Sequence, residues 1–225
     1  MADDRARRFV WDLPTRLFHW LLVALIAFSW WSERSFHMDW HGVSGVVLLG
    51  LLIFRLLWGL FGASTARFGQ FVKGPRTVWA YLRPSGEGVR AATIGHNPLG
   101  GWSVVALLLV LVTIVVSGLF AVDVDGIESG PLSVFVDFDQ GRTAAAIHHF
   151  CWNLLLALIV VHVAAILFYL VVKRRNLTWT MITGSERTTQ TDGEGAVPGS
   201  RWRLLGILAV AAAIAWWVDH GFRLA

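Results

Sequence analysis

The chain has 225 residues, a formal net charge of +4, and only 15% charged residues against 56% hydrophobic ones, with a mean hydropathy of +0.59. That balance excludes an ordinary water-soluble domain, and it makes the surplus of basic residues a property of membrane loops, with no nucleic-acid partner implied. Cys151 is the only cysteine, which excludes an intrachain disulfide, a c-type haem attachment site, an iron–sulfur cluster and a Cys-rich zinc site.

Five runs approach the roughly 20 apolar residues that cross a bilayer. The first is expected from about Leu13 to Trp31, with Asp12 as its cap and Pro14 in its first turn. It follows the basic start "MADDRARRF" but ends in "SWWSERS", without a small-residue cleavage site, so it reads as a retained span and not a signal peptide. The second is expected from about His41 to Phe61, the third from about Gly101 to Val122, and the fourth from about Ala144 to Val172. A polar stretch, "GSERTTQTDGEGAVPGS" at 184–200, reads as a flexible linker to a short fifth span from about Trp202 to Val218. The expected fold is all-α: a transmembrane four-helix bundle over 1–183, the linker over 184–200, and an appended fifth transmembrane helix over 201–225. The 13 Trp residues suit belts at the two interfaces, where they meet membrane lipid.

Loop charge sets the expected orientation. Arg5, Arg7 and Arg8 precede the first span; Arg67, Lys73, Arg76, Arg83 and Arg90 lie between the second and third. Lys173, Arg174 and Arg175 follow the fourth, and Arg187, Arg201 and Arg203 precede the fifth. All fall on one side, which puts the N-terminus in the cytoplasm. The loop at 123–142 on the other side carries Asp123, Asp125, Glu128, Asp137 and Asp139.

Histidine is costly in a lipid-spanning run unless something binds it. His162 lies 14 residues after His148, close to four helical turns, so the two share a face about 21 Å apart along the axis. His41 opens the second span on the outer side and His19 sits one to two turns into the first from the cytoplasmic side. Two pairs at matched depths follow, His41 with His148 and His19 with His162. Each pair offers two axial imidazoles to one haem iron, an arrangement with no open coordination position, suited to electron transfer. Gly42, Gly45 and Gly50 would give a flat macrocycle clearance against the second span. His149 points about 100° away from His148 and reads as interfacial or as a neighbour of the ligand. Arg55, 14 residues after His41, either snorkels or pairs with a propionate of the inner haem; Arg16 is a weaker candidate of the same kind. Single histidines hydrogen-bonded between helices, and a haem-free metal or ion channel, remain as competing readings, although the spans offer no acidic partners for the latter.

With these residues in view, the chain resembles the bacterial di-haem cytochrome b-561 family, and is similar to the wider group of b-type subunits of nickel–iron hydrogenase and formate dehydrogenase. The resemblance is carried by "WDLPTRLFHW" at 11–20, "HGVSGVVLLGLLIFRLLWG" at 41–59, "GHNPLGGW" at 95–102, "IHHFCWNLLLALIVVH" at 147–162 and "MITG" at 181–184. It implies a four-helix bundle with two b-type haems (iron protoporphyrin) on His19, His41, His148 and His162. His149 stands where relatives often have an acidic residue, which leaves open which neighbour ligates the outer haem. Asn97 reads locally as the cap of the third span; the resemblance places His96 and Asn97 beside a quinone. The expected function is transmembrane electron transfer between a membrane quinone and a periplasmic redox protein or c-type cytochrome in a respiratory chain. The protein is then an electron carrier or a quinone oxidoreductase, alone, as a homo-oligomer or as a complex subunit. The alternative is a haem-bearing anchor subunit of a larger oxidoreductase, without activity of its own.

Overall fold

A computed structural model describes residues 6–83, 95–125, 128–188 and 196–222. In chain order the described elements are strand β1 (Ala6–Phe9), helices α1 (Leu13–Arg34), α2 (Met38–Phe61), α3 (Phe68–Phe71), α4 (Pro75–Leu82), α5 (Pro98–Phe120), α6 (Phe138–Val171) and α7 (Leu177–Thr183), strand β2 (Ser185–Thr188), and helix α8 (Arg201–Asp219). Short 3-10 turns lie at Ser64–Ala66 and Ser133–Phe135. The five helices α1, α2, α5, α6 and α8 are long and apolar enough to cross a membrane. Of the basic residues used for orientation, Arg5 and Arg90 lie outside the described residues.

Helix starts depart from the apolar runs where polar caps extend them. α6 begins at Phe138 and not near Ala144. The amide of Gln140 donates to Asp137 Oδ1 at 2.8 Å and the amide of Asp137 donates to Gln140 Oε1 at 3.2 Å. This reciprocal capping box nucleates polar turns ahead of the membrane run. α5 begins at Pro98 because Asn97 caps it: the Gly100 amide donates to Asn97 Oδ1 at 2.7 Å, and proline lacks the amide that the first helical position cannot use.

The described residues divide into two compact units. The first comprises 1–17, 57–105 and 161–204. β1 and β2 pair antiparallel, Phe9 opposite Ser185, and the amides of Val10 and Trp11 donate to the Gly184 carbonyl at 2.8 and 3.0 Å. Gly184 ends α7 with φ of 81°, and a Cβ there would stand 2.7 Å from the Trp11 carbonyl oxygen, so only glycine closes this turn. Asp12 is buried and bonded twice: the Thr15 amide donates to Oδ1 at 3.4 Å, and the buried Trp58 indole donates to Oδ2 at 3.1 Å. The stretch read as a linker is structured at both described ends. Ser185–Thr188 is β2, the Ala196 amide donates to the Phe9 carbonyl, and Val197 and Ser64 exchange hydrogen bonds.

The second unit comprises 18–56, 106–160 and 205–225. Leu119, Leu132 and Val218 form a buried cluster against which Leu49 and Phe120 pack. α8 buries Ile207, Ala211, Ala215 and Val218, a single stripe at helical spacing. A Cβ at Gly50 would stand 3.5 Å from that of Ala215. Gly50 therefore serves close helix packing, as small residues do in membranes, and not clearance for a macrocycle. Buried hydroxyls satisfy themselves on their own helices: Ser44 donates to His41 O at 2.8 Å, and Ser117 donates to Thr113 O at 2.7 Å and Ile114 O at 3.0 Å.

Replacing Asp12 by Ala removes the carboxylate shared by the α1 cap and the Trp58 indole. The expected cost is about 1–3 kcal/mol, read as a lower thermal unfolding midpoint of the detergent-solubilised protein; an unchanged midpoint would show that the pair is inert.

Candidate functional site

His41 stands in the first turn of α2 and His148 in the eleventh position of α6. Both belong to the second unit, and their ring centroids are 6.0 Å apart at an interplanar angle of 76°. Each imidazole is held by a main-chain carbonyl of a neighbouring helix. His148 Nδ1 lies 2.8 Å from Ile114 O on α5. His41 Nδ1 lies 3.0 Å from Ser29 O and 3.2 Å from Ser29 Oγ on α1. A carbonyl only accepts, so each Nδ1 carries the proton and each Nε2 keeps its lone pair. This is the tautomer a metal-ligating histidine needs, with the outer carbonyl fixing ring orientation.

The residues present fit a haem iron on this pair. Two metal–nitrogen bonds of about 2 Å each, plus the two ring radii, give a centroid separation of about 6 Å. Gly45 lies one turn from His41 on the same face of α2, and no described atom lies within 4 Å of where a Cβ would stand at Gly45 or Gly42. On the other side Gly118 admits His148: a Cβ there would stand 3.0 Å from its Cε1 and Nδ1. His149 is exposed, with its ring 6.1 Å from that of His148 and nearly perpendicular to it.

The other site residues fall as follows. His19 is half-buried on α1, edge-on to Trp20 at 4.9 Å. His162 is half-buried on α6. Arg55 is 3% exposed, with its guanidinium 6.0 Å from the Phe18 ring centroid, so it does not snorkel. Arg16 donates to the Ile182 carbonyl at the end of α7. In the first unit, His96 lies between Trp11 and Phe71, each with its ring centroid 4.7 Å away. Asn97 uses its amide oxygen for the α5 cap and donates its amide nitrogen to Tyr169 Oη at 2.6 Å. Tyr169 also meets Tyr81, hydroxyl to hydroxyl, at 2.9 Å. These are the chain's only two tyrosines, and their meeting marks a polar cluster that the sequence analysis missed. The available signal was that Tyr169 lies seven residues, or two turns, beyond His162 on one face of α6. Nothing in the sequence pointed to Ser29, Ile114 or Gly118, because they act through a main-chain carbonyl or the lack of a side chain.

Apolar helices of membrane length thus carry an imidazole pair whose Nε2 lone pairs could ligate a metal. The family model described as prokaryotic cytochrome b561 matches residues 10–184, more than three quarters of the chain, and the chain belongs to that family. It is a multi-pass membrane b-type cytochrome of electron transport, all-α and haem-binding. No curated protein and no solved structure matches the chain.

Since Gly118 is where α5 admits the His148 ring, Gly118→Val is expected to lower the haem content of the purified protein. Gly118→Ala should have a smaller effect, with helicity by circular dichroism unchanged in both. Full haem content in Gly118→Val would show that the ring does not depend on that clearance.

Proposed function

We propose that this chain moves electrons across the bacterial inner membrane by way of two b-type haems, an outer one on His41 and His148 and an inner one on His19 and His162. The observation that carries the reading is the outer pair: two imidazoles 6.0 Å apart, each with Nδ1 spent on a carbonyl. The inner pair rests on spacing: His162 shares a face with His148 four turns along the continuous helix α6. When bound, the haems supply reversible one-electron transfer. The protein's own groups do the rest. Carbonyls on α1 and α5 orient the outer ligands, and the buried Arg55, beside the Phe18 ring, carries a charge that suits a propionate of the inner group.

The orientation is with the N-terminus in the cytoplasm. The described connections between the long helices in the first unit carry Arg67, Lys73, Arg76, Arg83, Lys173, Arg174 and Arg175, and those in the second carry Asp123, Asp125, Glu128 and Asp137. The redox partners are a membrane quinone on the cytoplasmic side and a periplasmic redox protein or c-type cytochrome on the other. His96, held between two aromatic rings, is the quinone-facing group that could hydrogen-bond a carbonyl and exchange a proton. Asn97 contributes by fixing Tyr169 and the start of α5. The di-haem core is 1–183, with 201–225 as the accessory segment that carries the fifth transmembrane helix.

His148→Ala and His162→Ala are each expected to remove about one haem per chain, and His149→Ala none, measured by haem extraction against protein concentration. Loss of the outer haem in His149→Ala would reassign the ligand. Reduction of the wild-type protein by added quinol, slowed at least severalfold in His96→Ala at unchanged haem content, supports the quinone assignment; equal rates would remove it.

A further inference from the structure

The two carbonyls that hold the outer imidazoles share a second feature. Ser29 O, which accepts from His41 Nδ1, also accepts from Ser32 Oγ at 2.9 Å. Ile114 O, which accepts from His148 Nδ1, also lies 3.0 Å from Ser117 Oγ, whose single proton it shares with Thr113 O at 2.7 Å. In both cases the hydroxyl lies three residues beyond the carbonyl on the same helix. Both serines are buried, Ser32 at 0% and Ser117 at 8% exposure, so neither hydroxyl trades its bond for water. Such back-bonding is ordinary for a membrane-buried serine. Its recurrence on both carbonyls that hold an imidazole is what local helix chemistry does not require.

A carbonyl has two lone pairs, and inside a helix one already serves the backbone amide. A serine hydroxyl aimed at the same oxygen competes with the imidazole N–H for what remains. The stronger the N–H···O bond, the more electron density the ring passes to Nε2 and the stronger a ligand it becomes. Stronger donation stabilises the ferric state over the ferrous and lowers the reduction potential. We propose that Ser32 and Ser117 are positioning residues that hold the outer haem's potential up, by drawing on the carbonyls that anchor His41 and His148. This rests on the assignment of those two histidines as ligands.

The test is a redox titration of the purified holoprotein, following the visible absorbance of each haem, for wild type, Ser32→Ala, Ser117→Ala and the double variant. The expected result is haem content equal to wild type, with the reduction equilibrium of one haem shifted toward the ferric form by about three- to tenfold per serine, the range of one neutral hydrogen bond. The other haem keeps its potential. Ser117→Thr, which retains the hydroxyl, restores the wild-type value. Thr113→Ala is the control, since its hydroxyl bonds Leu109 O at 2.9 Å, a carbonyl that holds no imidazole; it leaves both potentials unchanged. Full haem content with unmoved potentials in both serine variants would overturn the proposal. So would haem loss without a shift in the fraction retained, which would make the hydroxyls packing elements only. Neither result touches the ligand assignment, which fails separately if His41→Ala and His148→Ala keep both haems.

Discussion

An imidazole inside a membrane-spanning helix has two nitrogens and no water to satisfy them. In the His41–His148 pair, each Nδ1 proton goes to a carbonyl that its own helix already uses, Ser29 O for His41 and Ile114 O for His148. That single bond settles the tautomer, aims the ring, and leaves a lone pair on the far nitrogen for a metal. Other features follow as requirements. α5 must carry glycine at 118 for a ring to approach its backbone, and α1 must run long enough to bring Ser29 opposite the first turn of α2.

The two units solve different problems. In the first, polar groups do the holding: the Asp12 carboxylate ties the start of α1 to the Trp58 indole, a two-stranded ladder joins 6–9 to 185–188, and Arg175 pairs with Glu186 at 2.5 Å. Several of these bonds are out of water, where each is worth more than at an exposed surface. In the second, packing does the holding. α8 lays its alanines against Gly50 and its Val218 into the cluster with Leu119 and Leu132. The fifth helix is thus part of the packed structure that carries the His41 helix, and the absence of side chains beyond a methyl at 50, 211 and 215 is what permits it.

Much of this was legible in the sequence, for a physical reason. Lipid imposes a length and an apolarity on any crossing helix, so the five spans showed as runs, and some of their starts were misplaced because caps such as Asp137 with Gln140 added polar turns. Histidine stands out in such runs, which is why His41 and His148 were paired by depth before their rings were seen 6.0 Å apart. Asn97 was readable as a cap because its partner is three residues away. What could not be read were contacts made by carbonyls and by gaps. Ile114 O looks like any other peptide, and Gly118 and Gly50 look alike in sequence, yet one admits an imidazole and the other a helix. The stretch at 184–200 read as a linker because its described ends, 184–188 and 196–197, are held by bonds to residues 6–11 and Ser64, which its polar composition does not encode.

The claim on which all else rests is that paired imidazoles hold each iron from both sides. Low-temperature electron paramagnetic resonance of the oxidised protein, quantified against chain concentration, tests it most directly. Low-spin ferric signals amounting to about two irons per chain are the predicted outcome for bis-imidazole ligation; a dominant high-spin signal, or no ferric haem signal, would contradict it.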